Sequence, residues 1–577
     1  MKFLLAALNA KYIHSNPGIY SLKAYAEKFV KEPELEAGSF RIEIGEYTIN
    51  NQPDDILKDI YERKPDAVGF SCYIWNISYI LELVRDLPKV LPQVEIWLGG
   101  PEVSYDAAEI LSREGSVYGI MMGEGEETFS RVVRCYLNGS GRFDLIDGVA
   151  VRNDAGTPVE NPLKTVVDMS SIPFLYSDLA DFENRIVYYE SSRGCPFSCS
   201  YCLSSLDKSV RFRDTGLVLE ELDFFLERRV PQVKFVDRTF NCSRKHTMDI
   251  WRHIAEHDNG VTNFHFEISA DLLNEEELEL MSRMRPGLIQ LEIGVQSTNP
   301  DTIQEIRRQT DLTLLKKTVA RINSFGNIHQ HLDLIAGLPH EDYGSFRNSF
   351  NEVYRMKPEQ LQLGFLKVLK GSFMAEKAEE YGVRFRQKPP YEVLSTRWLD
   401  YGEILKLKVL EDMLEVYGNS GQFRTVMKEL CREFETPFDM FEALAEYYDK
   451  QGMSQISHSR MARYEILERF IKELVPEKLS SYQDLLVYDL YLRENLKSRP
   501  PFAADQEPFK ERVRAFFHSE AFRYLKEGYE GCDARQLIKM AHIEVFRDGR
   551  AVLFDYKKRD ALSHNAADYE IGVWRNE

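Results

Sequence analysis

Several features are missing from this 577-residue chain, and each absence excludes a class of protein. No apolar run reaches the roughly 18–20 residues that a membrane helix needs. No block of five or more basic residues occurs, and acidic residues outnumber basic ones by 92 to 73, for a formal charge of −19. That balance disfavours nucleic acid as a partner, because non-specific binding needs clustered lysine and arginine to displace counterions. Low-complexity tracts and internal repeats are absent, which removes disordered tails and solenoids. Cysteine is scarce, at eight residues. Cys72, Cys135, Cys242, Cys431 and Cys532 are scattered, while Cys195, Cys199 and Cys202 fall within eight positions. A disulfide framework would be distributed differently, so the pattern points to a reducing compartment and one local metal site. The opening MKFLLAALNA has a short apolar run and no clear small-residue cleavage site after it. It reads as a buried first strand rather than a signal peptide, and the expected location is cytoplasmic.

What is present divides into three regions of an α/β chain. Residues 1–170 alternate strand-like and helix-like patterns: KFLLAALNA, FRIEIGEYTI, DAVGFSCYIW, VEIWLGGPE and SVYGIMMGEGE, with amphipathic stretches between them. This order implies a Rossmann-like, doubly wound, mostly parallel sheet. Residues 142–175 read as a short hairpin and linker. Residues 180–388 repeat a strand-plus-helix unit about six times, through IVYYESS, QVKFVDRTF, NFHFEISA, LIQLEIGVQS, QHLDLIAGL and QLQLGFLKVL. Six units fall short of a closed eight-fold barrel, so a partial (β/α)6 TIM barrel is expected. Residues 389–577 read as mostly helical, with HIEVF and AVLFDY flanking RDGR as a β-hairpin. Aromatics at the start of this region, Tyr391, Trp398 and Tyr401, read as core residues.

The chemistry sits in SSRGCPFSCSYCLSS, directly after the first strand of the second region. Iron–sulfur clusters are held by thiolates, usually four. Three thiolates on one loop leave one iron open to a substrate or cofactor. Gly194 and Pro196 suit a loop wrapped tightly round a cluster. Zinc is the alternative, and it wants a fourth cysteine or histidine that no nearby residue supplies.

The spacing C-x3-C-x-aromatic-C, with Tyr201 as the aromatic, resembles the radical S-adenosylmethionine (SAM) superfamily. Four further stretches match in order: KFVDRTFN, FEISAD, LEIGVQST and HLDLIAGLPHED. Together they cover about 200 residues. The resemblance implies a [4Fe–4S] cluster on Cys195, Cys199 and Cys202, whose open iron binds SAM. One electron then cleaves the sulfonium to a 5′-deoxyadenosyl radical. It implies SAM contacts at or near strand ends, from Tyr201, Asp237, Arg238, Glu267, Ser269, Gln296 and Ile335. For each of these a structural role is the competing reading. Arg307 and Arg308 follow on the next helical stretch; either one of them reaches SAM or, more simply, both face solvent.

The first region, placed before such a barrel, resembles the cobalamin-binding radical SAM class. SNPGIYSLKAYAE, LGGPEVS and MMGEGEETF carry that likeness. They imply cobalamin contacts from Asn16, Pro17 and Gly18, from Gly99, Gly100, Pro101 and Glu102, and from Gly123, Glu124, Gly125 and Glu126. The loop SCYIWN (Ser71, Cys72, Tyr73, Trp75, Asn76) would cover one cobalt face. The Asp-x-His-x-x-Gly motif of the methionine-synthase type is absent. His14 is the one histidine in the first 170 residues, and a turn or surface role suits it better than cobalt ligation. The whole chain resembles cobalamin-binding radical SAM proteins whose C-terminal region has no assigned role. The implied activity is methyl transfer to an unactivated carbon, with cobalamin-dependent ring formation, rearrangement or oxidation, or a radical SAM enzyme that has lost cobalamin, as the alternatives. The implied partners are a small-molecule, lipid or peptide substrate and a one-electron reductant such as flavodoxin or ferredoxin.

Overall fold

The computed structural model describes residues 1–30, 40–163, 166–454 and 456–575. Strand β1 (Lys2–Asn9) is apolar on both faces and buried along almost its whole length, as a central parallel strand must be. It lies between β2 (Arg41–Thr48) and β3 (Ala67–Ser71), and β4 (Glu95–Gly99) and β5 (Val117–Met121) extend the parallel sheet. Strands β6 (Val149–Arg152) and β7 (Pro158–Glu160) come from the segment read as hairpin and linker. They add antiparallel to β5 and complete a seven-stranded sheet. Two apolar clusters, one on each face, confirm the doubly wound arrangement.

Six parallel strands form the central sheet in chain order: β8 (Val187–Tyr189), β11 (Gln232–Phe235), β12 (Asn263–Ile268), β13 (Ile289–Gln296), β14 (His329–Ala336) and β15 (Gln360–Phe365). Between the first two, β9 (Ser192–Arg193) and β10 (Arg211–Phe212) pair antiparallel and bracket the cysteine loop. Strand β13 alternates strictly, with Ile289, Leu291, Ile293 and Val295 buried and Gln290, Glu292, Gly294 and Gln296 on the other face. The apolar face packs against the helices, and the polar row faces the concave side. The sheet is open, with β8 and β15 as its edges.

A short hairpin, β16 (Arg384–Phe385) with β17 (Val393–Ser395), leads into the C-terminal helices. The first of these helices share the barrel's core, whereas helices Lys510–Ser519 and Ala534–Met540 pack with the terminal strands into a core of their own. Phe350 of the barrel helix Tyr343–Arg355 meets Phe438 and Phe441, and one apolar cluster runs from Val187 through Leu407, Phe438 and Tyr464 to Phe554. The β15 edge is covered where Asn419, at the end of a π-helical turn, bonds the amide of Leu361 at 3.0 Å and its carbonyl at 2.8 Å. The expected terminal hairpin is β18 (Ala541–Val545) with β19 (Arg550–Arg559), and β20 (Ala566–Val573) adds a third strand. Tyr391 is buried and Trp398 packs on the core, but Tyr401 is 49% exposed and is not a core residue. Among the described residues no helix is long and apolar enough to cross a membrane.

Candidate functional site

The loop from Gly194 to Val210 is built to hold its shape. Gly194 has φ 98°, and a Cβ there would lie 2.5 Å from the carbonyl oxygen of Ser209, so only glycine fits. The Cys195 amide donates to the Asp207 carbonyl at 3.1 Å, and the Ser200 amide to that of Ile306 at 2.9 Å. Cys195, Cys199 and Cys202 are all free thiols, the first two buried and the third half-buried. Three unpaired thiols on a loop too tight for any other backbone are a donor set that suits an iron–sulfur cluster.

Asp237 lies beneath this loop, not in the opening. It is fully buried and accepts from the Ser191 amide at 3.0 Å, the Ser191 hydroxyl at 2.7 Å and the Ser192 hydroxyl at 2.5 Å. His246 Nε2 is 2.9 Å from the Ser191 hydroxyl. Burial pushes the Asp237 carboxyl up to about 6, against the pull of the two serines. These bonds replace the expected SAM contact: Asp237 anchors the residues that lead into the cysteines.

Arg308 also departs from its expected solvent-facing position. It is withdrawn from solvent and reaches the Tyr201 hydroxyl at 3.3 Å, the Cys199 sulfur at 4.0 Å and the Gly294 carbonyl. Arg307 stacks instead over the Phe373 ring at 3.6 Å. Gln296 holds φ 71°, rare for a residue with a side chain, at a register shift between β13 and β14, and its Oε1 is buried without a partner. Ser269 donates to Asp271 at 2.6 Å, and Ile335 packs half-buried on the core. Arg238 is exposed, and its charge is felt both by Glu267 in the concave row and by Tyr73 of the first domain. Burial, then the Glu292 charge, push the Glu267 carboxyl up to about 7. Glu292 goes the other way. Burial raises it, but the 3.0 Å bond from His265 and the Lys234 ammonium at 3.1 Å hold it at about 2. Lys234 and Glu292 lie inside two of the matched stretches and His265 directly before a third, but no role for any of them was legible in the sequence.

The turns of the first domain gather at the carboxyl ends of its strands. Asn16 caps the helix Pro17–Phe29 and donates to the Ser71 hydroxyl at 3.1 Å, with Pro17 in the helix's first turn and Gly18 exposed. Asn76 donates to the carbonyls of Leu8 and Ser71 at 3.0 and 2.9 Å, which ties the SCYIWN loop to β1. Tyr73 and Trp75 stack with centroids 4.4 Å apart, and Trp75 is 41% exposed, which makes an aromatic platform. Below it Gly100, at φ 106°, leaves no room for a Cβ, which would sit 2.6 Å from the Cys72 carbonyl oxygen. Gly99 ends β4 and Pro101 is exposed beside it. The stacked Tyr73 and Trp75 rings, held beside this close-packed glycine turn, offer a face that suits a flat macrocycle. Burial pushes the Cys72 thiol up to about 12, and its sulfur lies 3.5 Å from the Phe70 carbonyl oxygen, the setting of a buried protonated thiol. His14 bonds the Tyr188 hydroxyl on β8 at 2.5 Å.

Three carboxylates read as cobalamin contacts are engaged elsewhere. Glu102 accepts from the Tyr391 hydroxyl and lies 3.3 Å from Lys370, just beyond β15. Glu126 pairs with Arg193 at 2.9 Å and accepts from Ser21 at 2.9 Å. Glu124 pairs with Arg193 at 3.2 Å and with Arg211. Arg193 and Arg211 face each other across β9 and β10, at the two ends of the cysteine loop. Gly123, at φ 70°, and Gly125 shape the turn that presents both glutamates. The acidic turn therefore grips the cysteine loop, and Glu102 grips the far edge of the barrel. With the Ile186 amide donating to the Ile13 carbonyl at 2.8 Å, the first domain spans the gap between β8 and β15.

Residues 4–133 match the B12 binding domain, 189–353 the radical SAM superfamily, and 379–562 a protein family of unknown function, DUF4080. The chain belongs to the cobalamin-dependent radical SAM family. Its radical SAM domain implies a [4Fe–4S] cluster and SAM, with a reductant and a substrate, and its first domain implies cobalamin. This family member is 25% identical over 351 residues to the cobalamin-dependent radical SAM methyltransferase TokK of Streptomyces tokunonensis, across 57% of this chain and 51% of that one. It is 23% identical over 338 residues to the anaerobic magnesium-protoporphyrin IX monomethyl ester cyclase of Rubrivivax gelatinosus, across 56% of this chain and 60% of that one. The match thus spans little more than half the length of either relative. Among solved structures, the cobalamin-dependent SAM radical enzyme OxsB, with aqua-cobalamin and SAM bound, shares the fold at a TM-score of 0.61 and 15% identity, across 86% of this chain and 82% of that one.

Proposed function

We propose that this radical SAM family member is a methyltransferase that delivers a methyl group to an unactivated carbon of a small-molecule, lipid or peptide substrate. The observation that carries the reading is the ion-pair set between Glu124 and Glu126 and the two arginines bracketing the cysteine loop, which brings both cofactor regions to one opening. TokK, a methyltransferase, adds support. When bound, the cluster with SAM supplies a hydrogen-abstracting radical, and cobalamin supplies a methyl carrier. Cys195, Cys199 and Cys202 would hold the cluster, and Arg308 would set a positive charge beside it. Tyr201, Arg238, Glu267, Ser269, Gln296 and Ile335 would contact SAM, and Tyr73 and Trp75 would shield cobalamin. The cyclase relative favours a second reading, ring formation without methyl transfer.

Anaerobic purification from cobalamin-fed cells, with iron and cobalt counted per chain, tests the cofactor set. About four irons and one cobalt are expected. S-adenosylhomocysteine appearing with 5′-deoxyadenosine supports methyl transfer. 5′-Deoxyadenosine without S-adenosylhomocysteine favours the second reading. Iron without cobalt, even after incubation with hydroxocobalamin, overturns both.

A further inference from the structure

Away from the cofactor opening, one set of three metal-ligating side chains among the described residues has ligand atoms all within 4.8 Å of one another: Asp223, His253 and His257. Helix Thr215–Glu227 carries Asp223, and helix Arg244–Glu256 with its C-cap carries both histidines. The histidines are four apart, the spacing that places two side chains on one helical face. Their rings stack with centroids 4.2 Å apart. His253 Nε2 lies 2.7 Å from Asp223 Oδ1. His257 Nδ1 lies 2.9 Å from the His253 carbonyl oxygen, and because a carbonyl can only accept, Nδ1 carries the proton. The lone pair of His257 is therefore on Nε2. A ring N–H given to a backbone carbonyl is the usual outer partner of a metal-bound histidine, since it fixes tautomer and orientation.

We propose that Asp223, His253 and His257 form a binding site for a borderline divalent transition ion, such as zinc or nickel, separate from the iron–sulfur and cobalamin regions. Two imidazoles and one carboxylate suit such an ion, whereas magnesium and calcium require oxygen donors throughout. The His253 side chain is 13% exposed and Asp223 43%, so water completes the coordination from the open side. The two helices involved also support the cysteine loop from behind. Helix Arg244–Glu256 carries His246, which bonds Ser191. Helix Thr215–Glu227 carries Glu221, which holds Tyr189 at 2.5 Å and Arg213 at 2.9 Å. An ion joining them ties together the outer wall behind that loop.

The test is anaerobic calorimetric titration of zinc into tag-free protein already loaded with cluster and cobalamin. Wild type should bind one further zinc per chain. Both Asp223→Asn and His257→Ala should weaken that binding at least about tenfold and leave the iron content unchanged. Asp223→Asn is isosteric and His257 is exposed, so neither threatens the fold. No saturable site below about 100 μM, or unchanged affinity in both variants, overturns the site and leaves a hydrogen-bonded helix contact. Weakening in only one variant overturns the three-ligand set.

Discussion

Arg308 shows what a single side chain contributes at the opening. Tyr201, Cys199 and the Gly294 carbonyl share the two terminal nitrogens of its guanidinium, while Nε is buried without a partner. Its charge lies against a sulfur read as a cluster ligand, where it favours added negative charge on the thiolates. Lysine keeps the charge but cannot reach three partners with one planar group. Arg308→Lys and Arg308→Gln should each slow reductive SAM cleavage, read as 5′-deoxyadenosine formed with dithionite, by about tenfold or more, the equivalent of one lost charged hydrogen bond. Iron content should hold. A wild-type rate in Arg308→Gln would show that the guanidinium only packs.

At the scale of elements, most of the fold was legible in the sequence. The five parallel strands of the first sheet and all six of the central sheet were readable because each is a short apolar or alternating run between turn residues. Strand β20 was not, because AADYEIGV mixes burial and exposure and pairs only at the margin of a small sheet. The cysteines were legible as a local motif, since their spacing alone carries the chemistry. The roles of Arg193 and Arg211 were not, because the glutamates they grip are distant in sequence, and Arg308 was legible only as one of two adjacent arginines for which solvent was the simpler expectation.

Asp489 is a similar case among the C-terminal helices. It projects from helix Leu479–Arg493 and accepts from the amides of Thr425 and Val426 at 2.9 Å each, at the start of helix Arg424–Leu430. Burial pushes its carboxyl from 3.8 up to about 7, against those amide bonds. A carboxyl raised in the folded state contributes stability fully at low pH and loses it as pH rises through the folded value. Asp489→Asn removes that dependence. The melting temperature of the variant, relative to wild type, should therefore climb by a few degrees between about pH 5 and about pH 7.5. A flat difference over that range would mean that the amide bonds prevail and the group stays ionised throughout.

The whole molecule depends on how the first domain is fastened to the barrel. An open six-stranded sheet leaves a gap between β8 and β15, and the first domain fills it with contacts on both sides. The tightest of these is the set of Glu124 and Glu126 with Arg193 and Arg211. All four side chains are 20% exposed or less, so the pairs are little screened by solvent. Removing one member of such a set leaves an uncompensated charge. Because the arginines lie at the two ends of the cysteine loop, ordering the turn that carries the glutamates also orders that loop. Cobalamin binding beside the turn should therefore slow amide hydrogen exchange across residues 194–210, although the ligand need not touch them. Glu124→Gln and Arg211→Gln should each remove most of that protection while cobalamin still binds. The double variant should lose no more than either single variant, because both act through one contact. Equal protection in wild type and all three variants would show that the two regions are neighbours without being coupled. The shared opening would then rest on the remaining contacts, among them Ile13 with Ile186, Glu46 with Arg185, His14 with Tyr188 and Glu102 with Lys370.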